Sequence, residues 1–586
     1  MYVLGLSCFY HDAGVALVKD GILIAAAEEE RFTRKKHDSD FPINAVQYCL
    51  RAAGITIDQV DYIGFYEKPF VKFMRILETC LSAWPLSYMS WMKSMPIWLT
   101  TKLRIGRIIQ ERLGTEKDII FCEHHLSHAA SAFLVSPYKD AVLLSMDGVG
   151  EWTTTAYGLG RGTRMDIEGE IRFPHSIGLL FSAITAYLGF KVNDAEWKVM
   201  GLAPYGKPKY VDQFRKVVDM KPDGSFRLKM EYFAHHYSTK SMFNRRWENL
   251  FGRPRRRPET ELDEFHYDVA HSGQKIVEEL VLNLARALYE KYKLPNLCIA
   301  GGVGLNCVAN WKIYKETGFK NIYVQPAAGD SGGAIGTAFH IYNTLLGRER
   351  VFEMKHAYWG PEYTNDEIRA VLDAGGAAYS EVSDDELLTE TARRLEAGQV
   401  IGWFQGRMEF GPRALGARSI LADARNPKAK DIINAKVKFR EWFRPFAPAV
   451  IKERAHEYFD MPAGMDLPFM LMVPQVRPQY HSVLPAITHE DGTGRVQTLT
   501  PELNGRFYDL VKRFGELTGV PVVVNTSFNV RGEPIVQSPQ DAHRTFLNTG
   551  IDALVIGNFI VTQKSDKVDF EQGMKRSIAL EGIASD

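Results

Sequence analysis

The chain has 586 residues, 45% hydrophobic and 24% charged, ordinary for a globular protein and enough, at about 150 residues per domain, for roughly four domains or fewer large ones. Its 71 basic residues balance 71 acidic ones, so no global field draws it to nucleic acid or membrane, and any attraction for an anionic substrate has to be local. Met1 leads straight into Tyr2-Val-Leu-Gly-Leu6 with no signal-peptide pattern, and the most apolar stretch, Leu81 to Leu99, holds Pro85, Lys93 and Pro96 and does not read as a membrane span.

Six cysteines (Cys8, Cys49, Cys80, Cys122, Cys298, Cys307) form no CxxC pair. That leaves neither a disulfide framework nor a zinc ribbon, and the expectation is a reduced, cytoplasmic protein.

The first thirty residues read as three strands: Tyr2–Leu6, Gly14–Val18 and Ile22–Ala27, with Asp20-Gly21 as a hairpin signal. Pro42 and Gly54 frame a helix over Ile43–Ala53. In the aromatic-rich stretch that follows, Trp84, Tyr88, Trp91, Met95 and Trp98 are spaced 4, 3, 4 and 3, one face of a helix that Pro96 would kink. It reads either as a packed helical insertion or as a lid lining an acceptor pocket. The opening pattern returns at Ala141–Met146, Thr153–Gly158 and Ile167–Phe173. Two copies of strand-turn-strand-strand suggest an internal duplication, as in actin-like ATPase folds, although hairpins are common enough to recur by chance.

Within the first half, His124 and His128 are spaced i, i+4 on one helix face, a spacing suited to a metal ion. His125 stands where a metalloprotease needs its glutamate, which disfavours that chemistry. Asp147 ends a strand before Gly148, and Asp330 sits in the glycine-rich turn Gly329-Asp-Ser-Gly-Gly333. Such turns let a backbone approach phosphate closely while the carboxylate holds a cation. Gly301-Gly-Val-Gly304 with Asn306 is another, and lacks the third glycine of a dinucleotide site. Gly201 to Lys207 almost spells a P-loop, but Pro208 replaces the required Ser or Thr.

Past a plausible connection around Trp359-Gly-Pro361, residues 407–444 carry ten basic side chains against four acidic ones. They include Arg413, Arg418, Lys438, Arg440 and Arg444, in a mixture of arginine, glycine, proline and aromatics unlike a solvated face. Arginine suits bidentate recognition of phosphate or carboxylate. Downstream, Val522-Val-Val-Asn525-Thr-Ser527 is a buried strand running into small polar groups. With Arg495, this half looks built to grip a polyanion.

Taken together, His11-Asp12-Ala13, Ala27-Glu-Glu-Glu-Arg-Phe-Thr33, His124-His-Leu-Ser-His128, Glu196-Trp-Lys-Val-Met-Gly-Leu-Ala203, Gly301-Gly-Val, Gly329-Asp-Ser-Gly, Glu409-Phe-Gly-Pro-Arg-Ala-Leu-Gly416, Phe443-Arg-Pro-Phe-Ala-Pro448 and Asn525-Thr-Ser-Phe-Asn529 resemble the O-carbamoyltransferases of nodulation factors, cephamycins and nebramycin. The resemblance implies an α/β chain with a duplicated actin-like (ASKHA) domain over 1–350, carrying an aromatic helical insertion at about 67–114. A linker over 351–377, an α+β YrdC-like domain over 378–563 and a tail over 564–586 would follow. It implies that carbamoyl phosphate and ATP give carbamoyl adenylate and pyrophosphate in the second domain. A small-molecule hydroxyl then takes the carbamoyl group in the first, releasing AMP.

By the same resemblance, Fe2+ or a similar metal falls to His124, His128, Asp147 and Asp330, with Mg2+ accompanying ATP. Asp12 would orient the hydroxyl, beside catalytic roles for His128, Lys198 and Arg418. Lys198, Gly301, Gly302, Asn306 and Asp330 would line the adenylate site. Arg413, Arg418, Ser419, Lys438, Arg444, Arg495, Asn525 and Ser527 would take carbamoyl phosphate and ATP. Ala417, where relatives often carry Asn, leaves Arg418-Ser419 intact. Nucleic acid and membrane are not expected partners, and a homodimer is one option for the assembly. An actin-like carbohydrate kinase leaves the second domain unexplained, and a nucleotide-gated binding protein would release no pyrophosphate.

Overall fold

The structure is a computed structural model describing residues 1–563; the expected tail over 564–586 lies outside the described residues. The chain forms two compact units. One comprises Met1–Glu29 and His37–Met354, the other Glu30–Lys36 and the chain from Lys355 onward.

In the first unit, β1 (Tyr2–Ser7), β2 (Gly14–Lys19) and β3 (Ile22–Glu28) form an antiparallel meander. On the other side of β1 lie β4 (Tyr62–Phe65) and β5 (Ile119–Phe121), both parallel, giving the order β3-β2-β1-β4-β5. A second sheet repeats the plan. The strands β6 (Asp140–Met146), β7 (Thr153–Arg161) and β8 (Arg164–Arg172) make the meander. After a two-stranded ribbon of β9 (Val218–Met220) and β10 (Phe226–Leu228), β11 (Asn296–Ala300) and β12 (Asn321–Val324) add in parallel to β6, in the order β12-β11-β6-β7-β8. Equal order and polarity in both sheets bear out the duplicated actin-like architecture. β1, β2 and β6 are almost wholly buried, so they read as apolar runs rather than alternating strands.

Each half-sheet feeds a helix from its last strand. His124–Phe133 follows β5, and Gly333–Phe339 follows β12 through the single turn Asp330–Gly332. Glycine lets these helices touch. A Cβ on Gly336 would lie 1.8 Å from the Ser127 carbonyl oxygen, and one on Gly5 of β1 would lie 2.0 Å from that of Ala334. The chemistry-bearing ends of both helices are thereby brought together.

The aromatic stretch departs from the single face expected of it. One helix spans Pro69–Ser82 and another Tyr88–Thr100, and Trp84 stands in the turn between them. Met95 and Trp98 are buried while Trp84 and Tyr88 are exposed.

The second unit is built on an eight-stranded mixed sheet. Its strands are β13 (Tyr379–Glu381), β14 (Ile401–Phe404), β15 (Arg418–Asp423), β16 (Ala447–Ile451), β17 (Gln497–Leu499), β18 (Val522–Ser527), β19 (Ala553–Ile556) and β20 (Phe559–Val561). The order is β13-β20-β19-β14-β15-β18-β16-β17. Leu387, Trp403, Leu421, Phe507, Phe514, Val523 and Val555 form its core with the helices Asp384–Glu396 and Arg506–Thr518. Truncating a residue as enclosed as Trp403 costs about 3–5 kcal/mol.

Two local features were not visible in the sequence. The stretch 351–377, expected to be a linker, holds the helix Asn365–Ala374, started by a capping box of Thr364 and Glu367. The motif segment Glu30–Lys36 belongs to the second unit, where Arg31 donates to the Gly411 carbonyl at 2.8 Å and Arg34 to those of Ile535 and Pro534 at 2.6 and 2.7 Å.

Candidate active site

Four residues of distant sequence converge in the first unit. His124 and His128, one turn apart and buried, come from the helix His124–Phe133. The Glu151 carboxylate fixes the start of that helix, accepting from the His124 N–H at 3.0 Å. Asp147 follows β6, and its Oδ1 accepts from the Gly302 N–H at 2.9 Å. Asp330 opens the turn before Gly333, and its Oδ2 accepts from the Tyr66 hydroxyl at 3.2 Å.

The two imidazoles meet Nε2 to Nε2 at 3.1 Å. His124 Nε2 lies 3.1 Å from Asp147 Oδ2 and 3.7 Å from Asp330 Oδ1, and His128 Nε2 lies 3.9 and 3.6 Å from the same two oxygens. One ligand atom from each of the four residues lies within 4.8 Å of all the others. Burial on its own would lower His124, but Asp330 and Asp147 outweigh it and hold the ring up at about 9. Burial would raise Asp147 and Asp330, yet the imidazoles keep both carboxyls below the usual range. Two facing imidazole nitrogens can share only one proton, whereas a cation would accept a lone pair from each of the four groups. Two nitrogen and two oxygen donors in this arrangement fit a divalent ion of the zinc or iron class. Behind His124, Glu67 Oε2 sits 3.7 Å from Nδ1, the carboxylate support metal-bound histidines commonly have.

His125 is structural. Its ring pairs with the Ser145 hydroxyl at 2.8 Å and the Thr153 carbonyl at 2.9 Å, and burial, with the neighbouring histidines, presses it down to about 3. It is neutral at any ordinary pH.

A second polar cluster surrounds Asp12. Its Oδ1 lies 2.7 Å from His37 Nδ1 and its Oδ2 3.0 Å from His11 Nδ1. His37 Nε2 continues to Asp194 Oδ1 at 2.8 Å, and His11 Nε2 to the Asn193 carbonyl at 3.0 Å. The result is a chain of alternating imidazoles and carboxylates, Asp194–His37–Asp12–His11. Burial would depress His11, but Asp12 reverses this and raises it to about 10. Sequence reading singled out Asp12 and missed His11, His37 and Asp194 as its partners. Only the adjacency of His11 was a signal, since His37 and Asp194 are 157 residues apart.

Among the expected adenylate-site residues, Gly301 has φ +87, and a Cβ there would lie 2.1 Å from the Met146 carbonyl oxygen. The position demands glycine for backbone approach. Asn306 caps the helix Cys307–Glu316, its Oδ1 accepting from Ala309 N–H at 3.2 Å, and exchanges hydrogen bonds with Gln274. Its side chain is engaged in the scaffold. Lys198 is buried on the helix Glu196–Leu202, its ammonium 5.6 Å from the Phe190 ring and 5.8 Å from that of Trp197.

In the second unit the expected anion-binding residues divide into two groups. Arg418, at the start of β15, is fully buried. Its guanidinium stacks 3.6 Å from the Phe404 ring centre and donates to the carbonyls of Gln405, Gly406, Ala417 and Pro361 at 3.0, 3.1, 3.0 and 3.0 Å. With its two terminal nitrogens donating to backbone carbonyls, Arg418 braces the loop before β15. Ser419 and Asn525 support the same loop. The Ser419 hydroxyl accepts from Gly416 N–H at 3.1 Å, and Asn525 Nδ2 donates to Gln497 at 2.8 Å. Glu409 completes it, accepting from the N–H groups of Leu415 and Ala417 at 2.7 Å each.

The other group is a crowd of cations. Lys438 is buried and donates to the Ser527 carbonyl and, at 3.1 and 2.7 Å, to the Ser527 hydroxyl and Asn529 Oδ1. Burial, then Arg440 and Arg444, push its ammonium well below the usual lysine range. Burial, Arg444 and Arg495 push Arg440 down likewise, against the opposing effect of Glu441. Arg440 was counted among the basic residues but not selected; its Nε donates to Asn434 at 2.7 Å. Arg531, unremarked in the sequence, joins through its N–H to the Lys438 carbonyl at 3.2 Å, with its guanidinium 3.8 Å from Glu441. Like charges held this close lower one another's stability and would be relieved by a bound anion.

The chain matches the family described as Carbamoyltransferase N-terminus over residues 2–339, and Carbamoyltransferase C-terminus over 392–563. These matches define a carbamoyl-group transferase. The chain belongs to the carbamoyltransferase family and is an enzyme of that class. It is 48% identical to protein sll1178 of Synechocystis sp., covering 98% of both chains. To the nodulation protein NolNO of Sinorhizobium fredii it is 38% identical, covering 95% of this chain and 80% of that one. Among solved structures, HypF of T. kodakarensis aligns with 13% identity and a TM-score of 0.29, over 59% of this chain and 48% of that one.

Proposed function

We propose that this carbamoyltransferase is ATP-dependent and modifies a hydroxyl of a small molecule by way of carbamoyl adenylate. The observation that carries the reading is the cation crowd of buried Lys438 with half-buried Arg440, Arg444 and Arg495 in the YrdC-like second unit. Carbamoyl phosphate is a dianion and ATP carries about four negative charges near pH 7, and gathering them requires such a site. Water takes the phosphoryl group of carbamoyl phosphate as inorganic phosphate, the carbamate oxygen so freed attacks the α-phosphorus of ATP, and pyrophosphate leaves. Lys438, Arg440 and Arg444 bind and orient the phosphates, with Ser527 beside Lys438 and Arg413 as a further phosphate ligand.

In the first unit, the acceptor hydroxyl attacks the carbamoyl carbon, the bond to AMP breaks, and AMP departs. Asp12 orients the hydroxyl. His37, whose two ring nitrogens face the Asp12 and Asp194 carboxylates, holds Asp12 in place, and the proton of the hydroxyl leaves with the departing AMP. Gly301 and Gly302 let the adenylate approach the backbone, with Lys198 lining the same site. His124, His128, Asp147 and Asp330 would hold an iron-class divalent ion, which supplies Lewis-acid polarisation when bound. Mg2+ would accompany ATP.

The test is pyrophosphate release from ATP by the full-length enzyme with and without carbamoyl phosphate. Release should require both substrates, and Arg440→Gln should abolish it. Release of ADP in place of pyrophosphate would refute the adenylate route.

A further inference from the structure

The helix Pro69–Ser82 is inside out. Among its buried residues are Lys72 and Arg75, while Phe70 and Met74 are exposed. Lys72 donates to Glu67 at 2.6 Å and lies 3.5 Å over the Tyr10 ring, and Arg75 donates to the Gly150 carbonyl at 3.1 Å. With its cations turned inward, the helix presents apolar groups outward, the reverse of an ordinary surface helix.

The exposed face continues through Trp84, Leu86 and Met89 to Leu99 at the end of the next helix. Of the 18 exposed large hydrophobic residues among those described, 11 lie between Phe70 and Leu99. Scattered apolar residues on a surface need no explanation, but a concentration of this kind marks a binding face.

Charge identifies the occupant. From Thr79 to Gln110 the chain has no Asp or Glu, and it carries Lys93, Lys102, Arg104 and Arg107. Lys93 and Arg104 are exposed. Tryptophan, tyrosine and long aliphatic groups interleaved with lysine and arginine match the boundary of a bilayer, where rings sit among headgroups and cations meet phosphate. The two helices have 14 and 13 residues, short of the roughly 20 a span requires, so they would lie in the membrane plane. A two-fold pairing of this face with a second copy would oppose the same cations across the interface.

We propose that the helical pair 69–100 docks on the surface of an anionic lipid bilayer, its apolar residues reaching the acyl boundary and Lys93 and Arg104 meeting lipid phosphates. This revises the expectation, drawn from the zero net charge, that no membrane is a partner. The attraction is local to one acid-free stretch and vanishes in the whole-chain sum.

The test is flotation of the full-length protein with vesicles of phosphatidylglycerol and phosphatidylcholine, or of phosphatidylcholine alone. The protein should float with the anionic vesicles and be released as salt screens the charges. A Trp84→Glu/Leu86→Glu/Met89→Glu variant should lose at least about tenfold in partitioning, or about 1.4 kcal/mol. These side chains are exposed, so its melting should match the wild type. A Lys93→Glu/Arg104→Glu variant, which leaves the apolar face intact, should lose the preference for anionic lipid. The idea fails if the wild type does not float, or if both variants float like it. It also fails if light scattering finds a dimer that the Trp84 variant dissociates, since the face would then belong to a second copy.

Discussion

Arg418→Ala offers a direct measure of what an arginine in this family motif does. The side chain is fully buried against Phe404, and four backbone carbonyls accept its donors. Two of these, Pro361 and Ala417, keep an N–H donor from Met408 and Gln405 at 2.9 Å each. Gly406 is exposed, so water can replace the guanidinium there. The Gln405 carbonyl is half-buried, and its loss costs about 1–2 kcal/mol. Emptying the space of a long side chain over an aromatic ring adds about 2–3 kcal/mol. The sum, about 3–5 kcal/mol, is a large part of the 5–15 kcal/mol that ordinarily separates folded from unfolded domains.

Calorimetry of the full chain should therefore show the second unit's transition falling steeply in Arg418→Ala. Arg440→Gln, which removes one of the crowded cations, should melt at or above the wild-type temperature while losing pyrophosphate release. The reasoning is refuted if Arg418→Ala melts like the wild type and has lost only pyrophosphate release. Arg418 would then be a phosphate ligand after all.

Three further outcomes follow from the first unit and its partner reaction. Replacing His128 or Asp330 by Ala should abolish retention of a divalent metal, read by elemental analysis, and block carbamoyl transfer while pyrophosphate release continues. Synthetic carbamoyl adenylate should restore partial transfer to Arg440→Gln but not to His128→Ala; the reverse pattern would exchange the roles of the two units. The His11–Asp12 pair gives stability a pH signature. The His11 share is fully present below that residue's ordinary 6.5 and is lost as pH rises through about 10, while the Asp12 share is present above 3.8 and lost in stronger acid. Denaturation midpoints of His11→Gln should accordingly fall less than those of the wild type between pH 7 and 10, and an unchanged alkaline limb would contradict the pairing.

Local signals in the sequence were enough for the strands of the two meanders, because hydrophobic burial leaves its mark along the chain. The apolar runs at Gly14 and Ala141 and the turns that follow them are set by near-neighbour chemistry. They recur in the structure as β2 and β6 of two matching sheets. Pro42 and Gly54 likewise bound the helix Ile43–Ala53, with Gly54 in the left-handed conformation only glycine adopts cheaply. The i, i+4 spacing of His124 and His128 announced a shared helix face.

What local pattern could not contain was the fate of each polar side chain once distant segments met. Arg413 and Arg418 are indistinguishable as sequence, but only the packing of β15 beside β14 turned Arg418 onto backbone carbonyls. His37 and Asp194 became partners through folding alone, across 157 residues. The inside-out helix Pro69–Ser82 is the plainest case. Its composition predicts cations facing water, and the buried Glu67 carboxylate, which needs a counter-charge, draws Lys72 inward instead. Periodicity is a property of neighbours along the chain, whereas desolvated charge is balanced by whatever tertiary structure brings beside it.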